Sequence, residues 1–238
     1  MNFKSLLNNY RLRLLFFMLE SIKRKASLLN YKFGFINKQF GSKNFKLLDV
    51  GCGNHSPSKT KFIFPNCEYY GLDLDKTYNN DSKDFEVTKE FYELDLTKLD
   101  YSIIPDNYFD FIRMAHVIEH LYNGDEVLRK LLPKLKKGGF FYIEYPGKKS
   151  LSLPGMHGTL NFHDDPTHVR VYSVQELQKV FEVGGCKVLR SGTRRNPWNI
   201  LAMPARAVGS LIKGKKLEAN IFWDITGFAE YLFVQKNK

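Results

Sequence analysis

After residue 44 the chain switches repeatedly between short apolar runs and segments whose apolar residues fall three and four apart. The runs are FKLLDV (45–50), CEYYGLDL (67–74), KEFYELDL (89–96), YFDFIRMA (108–115), GGFFYIEYP (138–146), CKVLRSG (186–192) and AEYLFVQK (229–236). Short length, aromatic or β-branched content and flanking turn residues predict strands. Between the fourth and fifth, GDEVLRKLLPKLKKGG sets Val127, Leu128, Leu131, Leu132 and Leu135 at helical spacing, with Gly138 as the stop. Ser173, with Glu176 three residues on, opens VQELQKVFEVGG as a capping box. Strands alternating with helices predict a mostly parallel, doubly wound α/β sheet with helices on both faces.

Two stretches break the rhythm, residues 146–172 and 194–228, and both follow late strands. Long connections in a compact domain usually carry function, and these would hang over the carboxyl edge of the sheet, where open α/β folds bind ligands. Residues 1–45 read as a basic helical extension, with Glu20 the single acid among many Lys and Arg. Within it LLNNYRLRLLFFMLESIKRKASLL mixes Leu and Phe with cations. Such a helix either lies on an anionic membrane through residues 1–30 or packs on the domain with its basic face outward. The formal net charge of +11 favours anionic neighbours. Three cysteines without metal-type spacing argue against a disulfide scaffold and for a reducing cytoplasm. No apolar run is long enough for a membrane span.

The first run ends in LLDVGCGN, a turn stripped of side chains where a strand gives way to a helix. Gly51 and Gly53 let a ligand approach the main chain, but the third glycine of the dinucleotide fingerprint is absent, as is the Gly-Lys-Ser/Thr of a phosphate loop. Asp73 closes the second run, about where an acid grips a ribose diol, and Asp95 lies near the end of the third. The set LLDVGCG, YYGLDLD, YELDL, FDFIRMAHVIEHL and LLPKLKKGGFFYIEYP resembles class I S-adenosylmethionine-dependent methyltransferases over residues 46–145. The resemblance implies a Rossmann-like sheet of seven strands, the last antiparallel, over a domain spanning 46–238. It implies S-adenosylmethionine as cofactor, with Asp49, Gly51 and Gly53 lining its amino-acid end. Asp73 would bind the ribose hydroxyls, Leu74 would lie against the adenine, Asp95 would accept from the adenine amino group with Leu96 beside it, and His116 would flank the sulfonium end.

Methyl transfer needs alignment and often a base for the acceptor. HVIEH offers His116, Glu119 and His120 on one helical turn. It is similar to the Glu-x-x-Glu-His motif of quinone-biosynthesis and small-RNA O-methyltransferases, which implies a divalent metal on Glu119, His120 and the downstream His168. The sequence departs from that motif at His116, which replaces a Glu. HDDPTHVR resembles the DPTH-x-R segment of methyltransferases in polysaccharide and cell-envelope pathways. By that likeness His168 or His163 is the general base, Asp165 its orienter and Arg170 an acceptor anchor. Cys52 has no His-Asp partner in sequence and is set aside as a nucleophile.

Three acceptor classes follow. The first is a hydroxyl of a sugar or glycolipid of the cell envelope, reached by a cytoplasmic, membrane-peripheral enzyme. The second is a quinone or small phenol. The third is RNA, which the scattered cations and the lack of an aromatic-basic motif disfavour.

Overall fold

The computed structural model describes residues 3–237. Its centre is one sheet in the order β3-β2-β1-β4-β5-β7-β6. The strands are β1 (Phe45–Val50), β2 (Cys67–Asp73), β3 (Glu90–Glu93), β4 (Phe109–Ala115), β5 (Leu135–Pro146), β6 (Cys186–Thr193) and β7 (Ala229–Lys236). β7 alone runs against the others, paired to β5 on one side and β6 on the other. The helices are α1 (Phe3–Ser27), α2 (Tyr31–Phe40), α3 (Ser56–Ile63), α4 (Ser82–Val87), α5 (Gly124–Leu131), α6 (Val174–Val183), α7 (Pro197–Ile212) and α8 (Trp223–Thr226).

Alternation along each strand divides the core between the two faces. Leu48, Val50, Ile112, Met114 and Phe141 pack with Val127 and Leu128 of α5 and Leu177 and Phe181 of α6. Their sequence neighbours Leu47, Phe111 and Tyr142 pack with Phe33 and Ile36 of α2 and Ile63 of α3. Helix α2 therefore covers the sheet itself. Asn30 caps it by accepting from Lys32 N at 3.2 Å. Helix α1 is attached at its end, where Arg24 Nε donates to the Ile63 carbonyl at 2.8 Å.

Two expectations are corrected in detail. The helix foreseen from residue 124 through Leu135 stops at Leu131. Pro133 has no N–H to continue the ladder, a 3-10 turn fills 132–134, and Leu135 pairs with Phe109 as the start of β5. The capping box at α6 is half formed: Ser173 Oγ accepts from Glu176 N at 3.2 Å, while the Glu176 carboxylate pairs with Arg170.

The two long connections pack on each other. Trp223 Nε1 donates to the Thr159 carbonyl at 2.8 Å, and Ala219 N to the His157 carbonyl at 2.9 Å. Leu160, Ala219, Phe228 and Ala229 form a small core between them.

Candidate active site

The strand order reverses between β1 and β4, and the carboxyl ends of β3, β2, β1 and β4 stand side by side. That edge carries Asp95, Asp73, the Gly51–Gly53 turn and His116 in spatial order. Gly51 has φ +73, and a Cβ there would come within 2.2 Å of Val117 Cγ2. A Cβ on Gly53 would meet the Tyr78 ring at 2.6 Å and its carbonyl oxygen at 2.8 Å. Both glycines are thus required by backbone shape and close packing.

Asp73 is half-buried and aims its carboxylate back at the turn, accepting from Gly53 N at 3.0 Å and Leu74 N at 2.8 Å. Burial raises its carboxyl above the usual range, and these amide bonds oppose the rise. Leu74 is 68% exposed. Asp95 Oδ1 caps the next turn through Thr97 N at 2.9 Å and Thr97 Oγ1 at 2.7 Å. Leu96 is instead buried in the main core, so its side chain supports the edge and does not open onto a ligand.

Asp49 corrects the expectation that it lines a cofactor. Its carboxylate is buried under the turn, where it accepts from Arg113 Nε at 2.7 Å, Ser56 Oγ at 2.7 Å and Tyr69 OH at 2.5 Å. Burial would push this carboxyl up, but the Arg113 charge and hydrogen bonds outweigh it and hold it below the usual range. Arg113, on β4, was not singled out from sequence. The signal was a charge inside FDFIRMA, since a buried charge needs a partner. Cys52 is buried, and desolvation pushes its thiol well up, which removes it as a nucleophile.

His116 adopts φ +56 and stacks on Trp223 with ring centroids 4.7 Å apart. Its Nε2 lies 3.0 Å from Glu144 Oε1, and its Nδ1 stands 3.4 Å from Glu119 Oε1, an ion-pair distance. Burial opposes a charge on this ring, but the two carboxylates outweigh it and raise it to about 8. Glu144 also accepts from Arg194 Nη1 at 2.6 Å, and Arg194 grips Asp224 through Nε at 3.0 Å and Nη2 at 3.2 Å. Burial would raise the Glu144 carboxyl, yet Arg194 and His116 hold it far below its usual value. A buried chain of alternating charge, Asp224–Arg194–Glu144–His116–Glu119, thereby joins the late connection to the sheet edge. Glu144, Asp224 and Trp223 also escaped the sequence reading, and Arg194 figured there only among the cations of the last insertion that could bind phosphate. An acid in FFYIEYP and a base after β6 give little hint that they meet.

The histidine loop meets this chain at Glu119, whose backbone carbonyl accepts from Val169 N at 2.9 Å and Arg170 N at 3.2 Å. The Glu119 side chain is buried, and neither carboxylate oxygen has a hydrogen-bond partner among the described residues. His168 Nε2 lies 4.0 Å from Glu119 Oε1, and His120 stacks on His168 with centroids 4.8 Å apart. His168 Nδ1 is 2.7 Å from the Phe162 carbonyl. That oxygen can only accept, so Nδ1 carries the hydrogen and a neutral ring keeps a bare lone pair on Nε2.

The remaining sites from the sequence reading are placed differently. The hydrogen bond that orients His168 goes to the Phe162 carbonyl, whereas Asp165 Oδ1 caps its own turn through Thr167 N at 2.9 Å and Thr167 Oγ1 at 2.5 Å and its Oδ2 stands 3.8 Å from His168 Nε2. Arg170 spends its guanidinium on the Tyr122 carbonyl at 2.9 Å, on Asp125 at 3.1 Å and on Glu176, so it fastens the loop and is not a free anchor. His163 is exposed and packs edge-on against Phe162. Glu119, His120 and His168 each offer a ligand atom within 4.8 Å of the others. A buried carboxylate without hydrogen bonds beside two imidazoles fits a divalent cation in donor chemistry.

A family model described as a methyltransferase domain matches residues 12–191. The chain belongs to that methyltransferase family. A probable S-adenosylmethionine-dependent methyltransferase of Mycolicibacterium smegmatis is 28% identical over 123 residues, 51% of this chain and 46% of that protein. The chain spans less than half the length of the curated relatives it matches, 46% and 27%. Among solved structures, an S-adenosylmethionine-dependent methyltransferase of Mesorhizobium loti superposes with TM-score 0.60 at 13% identity, over 86% of this chain and 97% of that one. One of Archaeoglobus fulgidus gives TM-score 0.54 at 16% identity, over 91% and 94%. At such identities the likeness concerns the fold. In this methyltransferase fold the Gly51–Gly53 turn, Asp73 and Asp95 occupy the carboxyl edge of the sheet at the reversal of strand order.

Proposed function

We propose that the protein transfers a methyl group from S-adenosylmethionine to a hydroxyl acceptor, with His168 as general base. S-adenosylmethionine would lie along the edge from Asp95 to His116, its ribose at Asp73. The observation that carries the oxygen acceptor is His168: its Nδ1–H is locked on the Phe162 carbonyl and its Nε2 lone pair stands beside Glu119, a short step from His116. A hydroxyl must lose its proton as the methyl arrives, and an imidazole in a fixed neutral tautomer can take it. Glu119 stabilises the imidazolium that forms.

Glu119, His120 and His168 would also hold a divalent cation, which when bound acidifies an acceptor hydroxyl. Under that variant His120 and His168 are held by Thr167 and Phe162 through their Nδ1 atoms. A sugar or glycolipid of the cell envelope is the acceptor we favour over a quinone or phenol. The support is the likeness of HDDPTHVR to the DPTH-x-R segment and the six cations without an acid from Arg194 to Leu217 in the late connection, which suit a phosphorylated saccharide carrier. The same reading gives α1 a peripheral contact with an anionic membrane. Residues 1 and 2 of the 1–30 stretch assigned to that contact lie outside the described residues.

The test is methyl transfer from labelled cofactor to lipid-linked saccharides and to phenols, with and without a chelator. The reading expects label on a saccharide oxygen and a loss of about 10²–10⁴ in kcat for His168→Gln at unchanged cofactor affinity. Full activity of that variant removes His168 as the base, and label on a nitrogen, a carbon or a phenol removes the proposed acceptor. Loss of activity with a chelator, restored by one cation, selects the metal variant.

A further inference from the structure

Helix α7 carries a row of large apolar residues on the side that faces water. Trp198, Leu201, Ala205, Val208 and Ile212 follow one another at spacings of three and four, a single helical stripe. Four of these are large, and they are 56%, 74%, 55% and 80% exposed in that order without Ala205. The half-buried face toward the protein mixes Ile200, Met203 and Ala207 with Asn199 and Ser210. Asn199 Nδ2 donates to Asp224 Oδ2 at 2.9 Å, and Ser210 Oγ donates to the Lys216 carbonyl at 3.0 Å. No residue of α7 is buried. A surface helix that packs only on a core turns a polar face to water, and an exposed apolar stripe of this length marks an interaction site.

Charge says what the occupant is. From Arg194 to Leu217 the chain has six cations and no acid. Arg194 is buried in the ion-pair chain, while Arg195, Arg206, Lys213, Lys215 and Lys216 are exposed. A second copy of the chain laid stripe against stripe would bring two such cationic sets together, which repel. Anionic headgroups neutralise them, and an apolar stripe flanked by Lys and Arg is the pattern of a helix lying in a bilayer interface. The start of α7 is also tied to the end of α1, through Asn196 Nδ2 on the Leu29 carbonyl at 2.5 Å and Tyr31 OH on the Arg195 carbonyl at 3.2 Å. Helix α1 shows the same chemistry, with Leu15, Phe16, Met18, Leu19 and Ile22 exposed beside Arg13 and Lys23.

From this arrangement we infer that α7 and the Lys213–Lys216 turn form a docking surface for an anionic lipid bilayer, with the apolar stripe seated at the level of the acyl chains. The surface is independent of the reaction assigned to the site. Its position has a consequence all the same. Asn196 caps α7 and its own N–H donates to Asp224 Oδ1 at 2.9 Å, so a docked α7 is joined directly to the Arg194–Glu144–His116 chain.

Vesicle co-sedimentation of the full chain tests it. Vesicles of phosphatidylcholine with phosphatidylglycerol are compared with phosphatidylcholine alone, for the native chain and two triple variants. Leu201→Ser with Val208→Ser and Ile212→Ser removes the stripe; Lys213→Ala with Lys215→Ala and Lys216→Ala removes the charge. All six positions are exposed, so the fold is retained, and an unchanged circular dichroism spectrum verifies it. The native chain should pellet with the anionic vesicles, and the lysine variant should lose on the order of a hundredfold in partition. The serine variant should stay in the supernatant. Trp198 fluorescence should be quenched by lipids brominated along the acyl chain, and Trp198→Phe should abolish that part of the quenching. If the serine variant pellets like the native chain, α7 is not the docking surface. Native protein that pellets with neither vesicle, but self-associates in light scattering through the same stripe, would overturn the lipid assignment in favour of a second copy.

Discussion

His116 stands at the junction of the two chemistries in the site, and its environment fixes a pH dependence. Glu119 and Glu144 flank the ring, and Trp223 and Phe228 cover it. Its ring is raised from 6.5 to about 8 in the folded chain. A raised value means that the charged form is stabilised by folding. The contribution is therefore complete below about pH 6.5 and fades as pH rises through about 8, and a shift of that size corresponds to about 2 kcal/mol. Thermal unfolding should show native stability declining across that window. His116→Gln should flatten the decline, and an equal decline in the variant would place its origin elsewhere. The sulfonium of a bound cofactor near this ring would oppose the imidazolium, so cofactor binding and the His116 proton are expected to be linked.

Between elements, the strongest tie at the site runs from β1 to β4, beneath the glycine turn. Asp49 and Arg113 lie on adjacent strands in register, both buried, with Ser56 of α3 and Tyr69 of β2 closing the cluster. Removing one partner of a buried pair leaves a charge without compensation, which costs about 3–5 kcal/mol. Arg113→Met is expected to lower the unfolding free energy by that amount in denaturant titration. A change below about 1 kcal/mol would mean that water reaches the Asp49 carboxylate. This tie shows where the sequence was informative and where it was not. The strands from 45 to 146 follow from apolar runs and turn residues, because all but the edge strand β3 are largely buried on both faces. Gly51, Gly53 and Asp73 stand out locally, as a strand-to-helix turn and a strand end, although the groups that crowd the two glycines, Val117 and Tyr78, are far away in sequence. Arg113, Glu144 and Arg194 are defined by partners 64, 28 and 50 positions away, and no local period encodes such pairing. The same limit explains Asp165 and Arg170. Asp165 was read as orienting the base and Arg170 as anchoring the acceptor, yet each satisfies local backbone or loop charges that only the folded loop reveals.

On the scale of the whole molecule, one edge of one sheet collects the glycine turn, Asp73, Asp95 and His116, and two late connections pack on each other beside it. The connections hold each other through Trp223–Thr159 and Ala219–His157, and they hold the sheet through Arg194–Glu144. Cationic charge and exposed apolar side chains gather on α1 and α7, on the side of the molecule where the late connection begins. The central claim is that the edge from Asp95 to His116 binds a nucleoside-bearing methyl donor, and that Asp73 reads its ribose. Calorimetric titration with S-adenosylhomocysteine tests this most directly, with Asp73→Ala beside the native chain. Loss of a charge-assisted pair should weaken binding by about ten- to a hundredfold. Binding by the native chain with that loss in the variant is the predicted result. No heat of binding from the native chain, or equal affinity in both proteins, would contradict it.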